Sequence, residues 1–113
     1  MRSSEGLFLS QEKYLKEMLK RFQMEDSSFV STPMVVGCKL SKDDPSPDVD
    51  QRTYQSMMGT LIYIKTSRPD IMQVVGMVGR FQYYPKQSHL VAIKMIFKYL
   101  KGTMTYGLWY HRN

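Results

Sequence analysis

Gly59-Thr60-Leu61-Ile62-Tyr63-Ile64-Lys65-Thr66-Ser67-Arg68-Pro69-Asp70 decides how this chain folds. An apolar helix runs into it and a second helix leaves it. Pro69 fixes its own φ near the helical value and pushes Arg68 towards extended backbone, so the break falls just before the proline. Proline at the first helical position followed by an acid is a start signal, because the open N–H groups and the positive dipole end favour Asp70.

Working outward, the preceding helix covers about 51–66, with Tyr54, Met57, Met58, Leu61, Ile62 and Ile64 apolar, and Asp48 or Asp50 as its cap. The following helix covers about 69–83 on a stripe of Ile71, Val74, Val75, Val78 and Phe81. Gly76 and Gly79 inside it each cost about 1 kcal/mol against Ala, which close approach of a neighbour would offset. Pro85 ends it. Ser88 then caps a helix over about 89–101 with Leu90, Ile93, Ile96, Phe97 and Leu100 on one face; Lys101 and Gly102 form its stop.

Nearer the N-terminus, Gly6-Leu7-Phe8-Leu9 reads as a short strand end. Ser10 caps a helix over about 11–22, with Tyr14, Leu15, Met18, Leu19 and Phe22 on one face. Its other face offers the i,i+4 pairs Glu12–Lys16, Lys13–Glu17 and Glu17–Arg21. Between 25 and 50 the periodicity fails: Val30–Val36 is extended at best, and Ser41–Asp50 is a polar, proline-containing loop expected to be mobile. Thr105–Tyr110 alternates as a closing strand. The fold class is mainly α: a three-helix unit preceded by one amphipathic helix, with short strand pieces at both ends.

At 113 residues, 42% hydrophobic and 23% charged, the composition is that of a globular domain. Lys65, Arg80 and Lys94 interrupt the apolar runs, so no membrane span is expected, and no secretory leader is read at Met1; an intracellular setting is the expectation. Lone Cys38 allows no internal disulfide. The net charge of +6 is unevenly placed: residues 1–70 hold ten Lys/Arg and ten Asp/Glu, and residues 71–113 hold six Lys/Arg with no acid. One-sided positive charge attracts polyanions, or marks a face that an acidic neighbour covers. Lys94, Lys98 and Lys101 share a helix face at i, i+4, i+7, and with Arg80 they are the candidate phosphate contacts. Tyr83, Tyr84, Tyr99, Tyr106 and Trp109 are candidates for stacking on bases, against the commoner role of core aromatics. His89 lacks a spaced Ser, Cys or acid and reads as structural. The acids of the 41–50 loop lack calcium-loop spacing, and no zinc or phosphate-loop spacing occurs.

Several blocks then fall in one order. Gly6-Leu7-Phe8-Leu9-Ser10-Gln11-Glu12-Lys13-Tyr14, Thr32-Pro33-Met34, Tyr54-Gln55-Ser56-Met57-Met58-Gly59-Thr60-Leu61-Ile62-Tyr63, and Ser67-Arg68-Pro69-Asp70-Ile71 resemble the reverse transcriptase of copia-type LTR retrotransposons. Arg80-Phe81, Pro85, His89, Tyr99-Leu100-Lys101-Gly102-Thr103 and Gly107-Leu108-Trp109-Tyr110 continue the resemblance, with Gly59, Arg68, Pro69, Asp70, His89 and Gly102 as its structural motif positions. Met95 departs from it, standing where a basic residue is common.

The resemblance implies part of a Pol polyprotein. Residues 1–50 would end a palm-like region, 51–103 would form a thumb-like three-helix unit, and 104–113 would lead towards ribonuclease H. It also implies that the Mg2+-binding aspartates belong to an upstream Tyr-x-Asp-Asp-like turn that this sequence lacks; Asp43-Asp44 follows Ser41-Lys42 in a proline-rich loop. The expectation is a segment non-catalytic alone, with no cofactor, that grips an RNA–DNA or DNA duplex weakly through phosphates. Its other partners would be the palm and ribonuclease H regions. A self-associating helical module, or a relic reading frame without function, is the alternative.

Overall fold

The computed structural model describes residues 3–34 and 40–105. Four α-helices follow one another: α1 (Ser3–Arg21), α2 (Gln51–Ile64), α3 (Met72–Gly79) and α4 (Gln87–Leu100). Two 3-10 turns, Lys65–Ser67 and Pro69–Ile71, join α2 to α3, and a π-helical turn, Lys101–Thr105, follows α4. The fold is mainly α, and no strand occurs among the described residues beyond an isolated Asp48–Lys86 bridge.

All four helices share one core. Leu15 and Leu19 of α1 pack with Tyr54, Met57, Met58, Leu61 and Ile64 of α2; Val75 and Val78 of α3 meet Ile93, Ile96, Phe97 and Leu100 of α4. Edge-to-face ring pairs tie α1 into it: Tyr14 on Tyr63 at 5.4 Å and Phe22 on Phe97 at 5.8 Å. The Tyr54 hydroxyl is buried and donates to the Val78 carbonyl at 2.7 Å, and burial pushes its pKa upward. The amphipathic helix is thus a wall of the same core as the three-helix unit.

The N-terminal strand expectation is corrected: α1 is already helical from Ser3, and Ser10 lies within it. Four apolar residues without a partner strand have no ladder to join. The helical stripe continues backwards through Leu7, Gln11 and Leu15, four apart, and polar Gln11 hid it. Gln11 is fully buried; its amide donates to the Tyr63 carbonyl (2.9 Å) and Thr66 Oγ1 (3.1 Å) and accepts from the Ser67 hydroxyl. Of the three offered i,i+4 ion pairs, Glu12–Lys16 closes at 3.4 Å.

α1 ends in a reversal that the sequence did not announce. Gln23 takes a left-handed φ of 61°, its N–H bonds Lys20 O, and the Met24 N–H bonds Leu19 O at 2.7 Å. This is the Schellman arrangement, with glutamine where glycine is usual.

Asp50 caps α2, accepting from the Thr53 N–H (2.9 Å) and hydroxyl (2.7 Å). The break falls where Pro69 puts it, with Arg68 at φ −132°, ψ 79°. α3 itself is shorter than expected: a 3-10 turn comes first, and the helix closes at Gly79. A Cβ at Gly79 would lie 3.1 Å from Met58 Cε, whereas Gly76 faces open space and owes nothing to close approach.

Two further corrections concern α4. Lys86, in extended backbone, is its N-cap residue, and Ser88 lies in the first turn. Gly102 does not stop the helix, because the backbone runs on as a π-turn; its missing Cβ admits Phe29, whose Cβ would lie 3.1 Å away. Nor is the proline-containing loop loose. Its backbone pairs with α4's start through Val49 N–H to Pro85 O (3.0 Å) and Gln87 N–H to Pro47 O (2.8 Å), and Lys86 meets Asp48 at 2.6 Å. Cys38 lies outside the described residues, and so does the strand expected over 105–110 apart from Thr105, which closes the π-turn.

Candidate nucleic-acid interface

The conformation around the proline break is held by a buried guanidinium. Arg68 is 1% exposed, and its Nε and Nη2 donate to the two Asp70 oxygens at 3.0 and 2.7 Å. The Tyr99 hydroxyl from α4 donates to Asp70 Oδ2 at 2.5 Å, and its ring lies 5.7 Å from Arg68 Cζ. Burial pushes the Asp70 carboxyl up, but the bonds from Arg68 and then Tyr99 outweigh it and hold the group below the usual carboxylate range. Burial, aided by the Asp70 bond, raises Tyr99. The motif residues Arg68, Pro69 and Asp70 therefore fasten the start of α3 to α4.

His89 fastens the other end. It is fully buried and stacked on Phe81, with ring centroids 3.9 Å apart. Its Nδ1 accepts from the Lys86 N–H at 3.0 Å, so Nε2 carries the proton and donates to the Ser41 carbonyl at 2.8 Å. Neither nitrogen is presented to a substrate. Asp44, in the same loop, accepts from the Ser46 N–H at 2.7 Å, and its pKa is lowered to about 2, the Ser46 hydrogen bonds being the main cause. Gly59 is exposed on α2, with nothing close to its missing Cβ.

The four candidate phosphate contacts do not stay together. Lys94 and Lys98 remain half-buried on one face of α4. Lys101 is corrected: it is 6% exposed, and its ammonium donates to the backbone carbonyls of Glu25 (2.5 Å) and Ser27 (2.6 Å), out of reach of a phosphate. The covering segment lies more than 70 residues earlier, so helix register alone could not reveal it. Arg80 is exposed but borders a different cleft, with Leu40, Lys42 and Phe81.

In their place the fold assembles a cluster from three helices. Arg21 from the end of α1, Arg52 from the first turn of α2 and Lys94 from α4 line one open groove of about 370 Å³, floored in part by Phe22, Met57 and Leu90. None of the three cations is in an ion pair among the described residues. The one acid in the lining, Asp50, is engaged by the Thr53 hydroxyl and N–H, which, with a smaller contribution from the charge of Arg52, hold its pKa below the ordinary value. Charge counting along the chain missed this groove because Arg21 and Arg52 belong to the neutral first 70 residues. Only the packing of α1 on α2 and α4 brings them to Lys94.

The chain is 41% identical over 90% of its length to the retrovirus-related Pol polyprotein from transposon TNT 1-94 of Nicotiana tabacum. It is 37% identical over 91% of its length to that from transposon RE1 of Arabidopsis thaliana. The chain belongs with the transposon Pol polyproteins. It spans 8% and 7% of those two proteins, so it corresponds to one short stretch of a Pol chain. An uncharacterized mitochondrial protein of Arabidopsis thaliana, 33% identical, is matched by 96% of the chain over 45% of its own length. No family profile matches the chain, and no solved structure does. Among the described residues of this Pol segment, no helix is long and apolar enough to cross a membrane.

Proposed function

We propose that this Pol segment is the part of a copia-type reverse transcriptase that follows the catalytic centre, and that it holds template–primer duplex by its phosphates. The observation that carries the reading is the groove where Arg21, Arg52 and Lys94 converge from three helices against a single committed acid. A groove of this kind grips a backbone without reading bases, because phosphate contacts position a duplex and carry no sequence information. The excess of six positive charges after residue 70 adds long-range attraction. Bond-making would belong to other regions of the polyprotein, which supply the palm and its Mg2+. Titrating the chain with RNA–DNA and DNA duplexes at several salt concentrations tests this. Log K is expected to fall with log salt at a slope of about −0.9 per phosphate contacted, alike for unrelated sequences. Replacing both Arg52 and Lys94 by Ala should reduce the slope by about 2. A slope unaffected by that pair of substitutions would remove the groove from the account.

A second reading has its own observation. Ile62, Met72 and Val91, on three different helical elements, are each about half exposed. Cover by neighbouring polyprotein regions or by a second copy would bury them. A mass that rises with concentration in light scattering supports self-association, and a constant monomer removes it.

A further inference from the structure

The basic groove does not end at Arg52. A hollow lined by Asp50, Gln51, Arg52 and Gln55 shares Asp50 and Arg52 with it, and Gln51 also lines the next hollow, together with Tyr83 and Tyr84. These two rings are the most exposed large apolar side chains among the described residues, at 63% and 84%. They sit on a braced turn. The Tyr84 N–H bonds Phe81 O at 3.3 Å, Gln55 of α2 donates to the Gln82 carbonyl at 3.2 Å, and the Gln82 side chain donates to Gly79 O at 3.1 Å.

Charge changes along this path. The groove at Arg21, Arg52 and Lys94 is cationic, whereas the charges beside the tyrosines, Lys86 and Asp48, cancel in their 2.6 Å pair. A cationic channel suits phosphates. Two exposed tyrosine side chains beside a neutralised pair suit uncharged π surfaces, and every base offers one whatever its identity. We infer that Tyr83 and Tyr84 form a stacking platform for unpaired bases of a strand that runs on beyond the duplex held in the groove. The inference rests on the phosphate-groove reading and adds to it the two residues that would meet unpaired bases.

The test compares three probes on the whole chain: a short blunt DNA duplex, the same duplex with an extension of about six unpaired nucleotides, and one whose extension is abasic. The extension with bases should bind at least about fivefold tighter than the abasic one, the least expected from one stacked base. The Tyr83→Ala/Tyr84→Ala double variant should lose that advantage and keep the blunt-duplex affinity, while Tyr83→Phe/Tyr84→Phe keeps both. Equal affinity for the two extensions, or an advantage that survives the alanine pair, overturns the platform and leaves the groove standing. No binding of any probe overturns both. Because both rings are exposed, an unchanged thermal midpoint is the expected check that the variants fold.

Discussion

Lys101 and Lys94 are the same residue type seven positions apart, and the fold buries one against backbone carbonyls and leaves the other lining the groove. Lys101 holds the carbonyls of Glu25 and Ser27, so Lys101→Met, which keeps the stem and removes the donor, should cost about 1–3 kcal/mol of stability. Lys94→Met should change stability by no more than about 0.5 kcal/mol and act on duplex affinity instead. Chemical denaturation of the two variants checks the contrast; equal losses would contradict it. Gln23 gives a prediction of the other sign. Its side chain penalises the left-handed backbone at φ 61°, and glycine does not. Gln23→Gly should raise stability by about 0.5–1 kcal/mol, measured as a higher denaturation midpoint at an unchanged slope.

At the scale of elements, the proline break and the Arg68–Asp70–Tyr99 cluster decide where α3 sits on α4. The Asp70 carboxyl is held below its unfolded value of about 3.9. The stability it contributes is therefore present above that unfolded value and is lost as pH falls through the folded one. Asp70→Asn should lower stability at neutral pH and flatten the acid-side decline, read as thermal midpoints between about pH 2 and pH 6. A variant whose acid limb runs parallel to the wild type would show that Asp70 is not what titrates. Three helix positions and the Pro69 break were legible, because apolar spacing and proline chemistry are local. The strand read at Gly6–Leu9 was not helix-like in sequence, since the buried face there passes through Gln11, whose partners lie some 50 residues away. The pinned 41–50 loop was hidden for the same reason: its polar residues look solvated until Ser41 O, Ser46 and Asp48 meet His89, Ser88 and Lys86.

For the whole molecule, charge summed along the chain differs from charge gathered on a surface. A segment total identified a positive C-terminal part, but a surface is built in space, and two of the three groove cations come from the part that sums to zero. Lys94 was legible as a candidate; Arg21 and Arg52 required the packing of α1 into the core shared by α2 and α4. On the function proposed above, three distant stretches act as one anion-binding surface. Amide NMR resonances followed during titration with a blunt DNA duplex test it most directly. Residues around Arg21, Arg52 and Lys94 should shift together along one binding curve, with Lys101 unmoved. Shifts confined to the C-terminal turn of α4, or spread without regard to the groove, would contradict it.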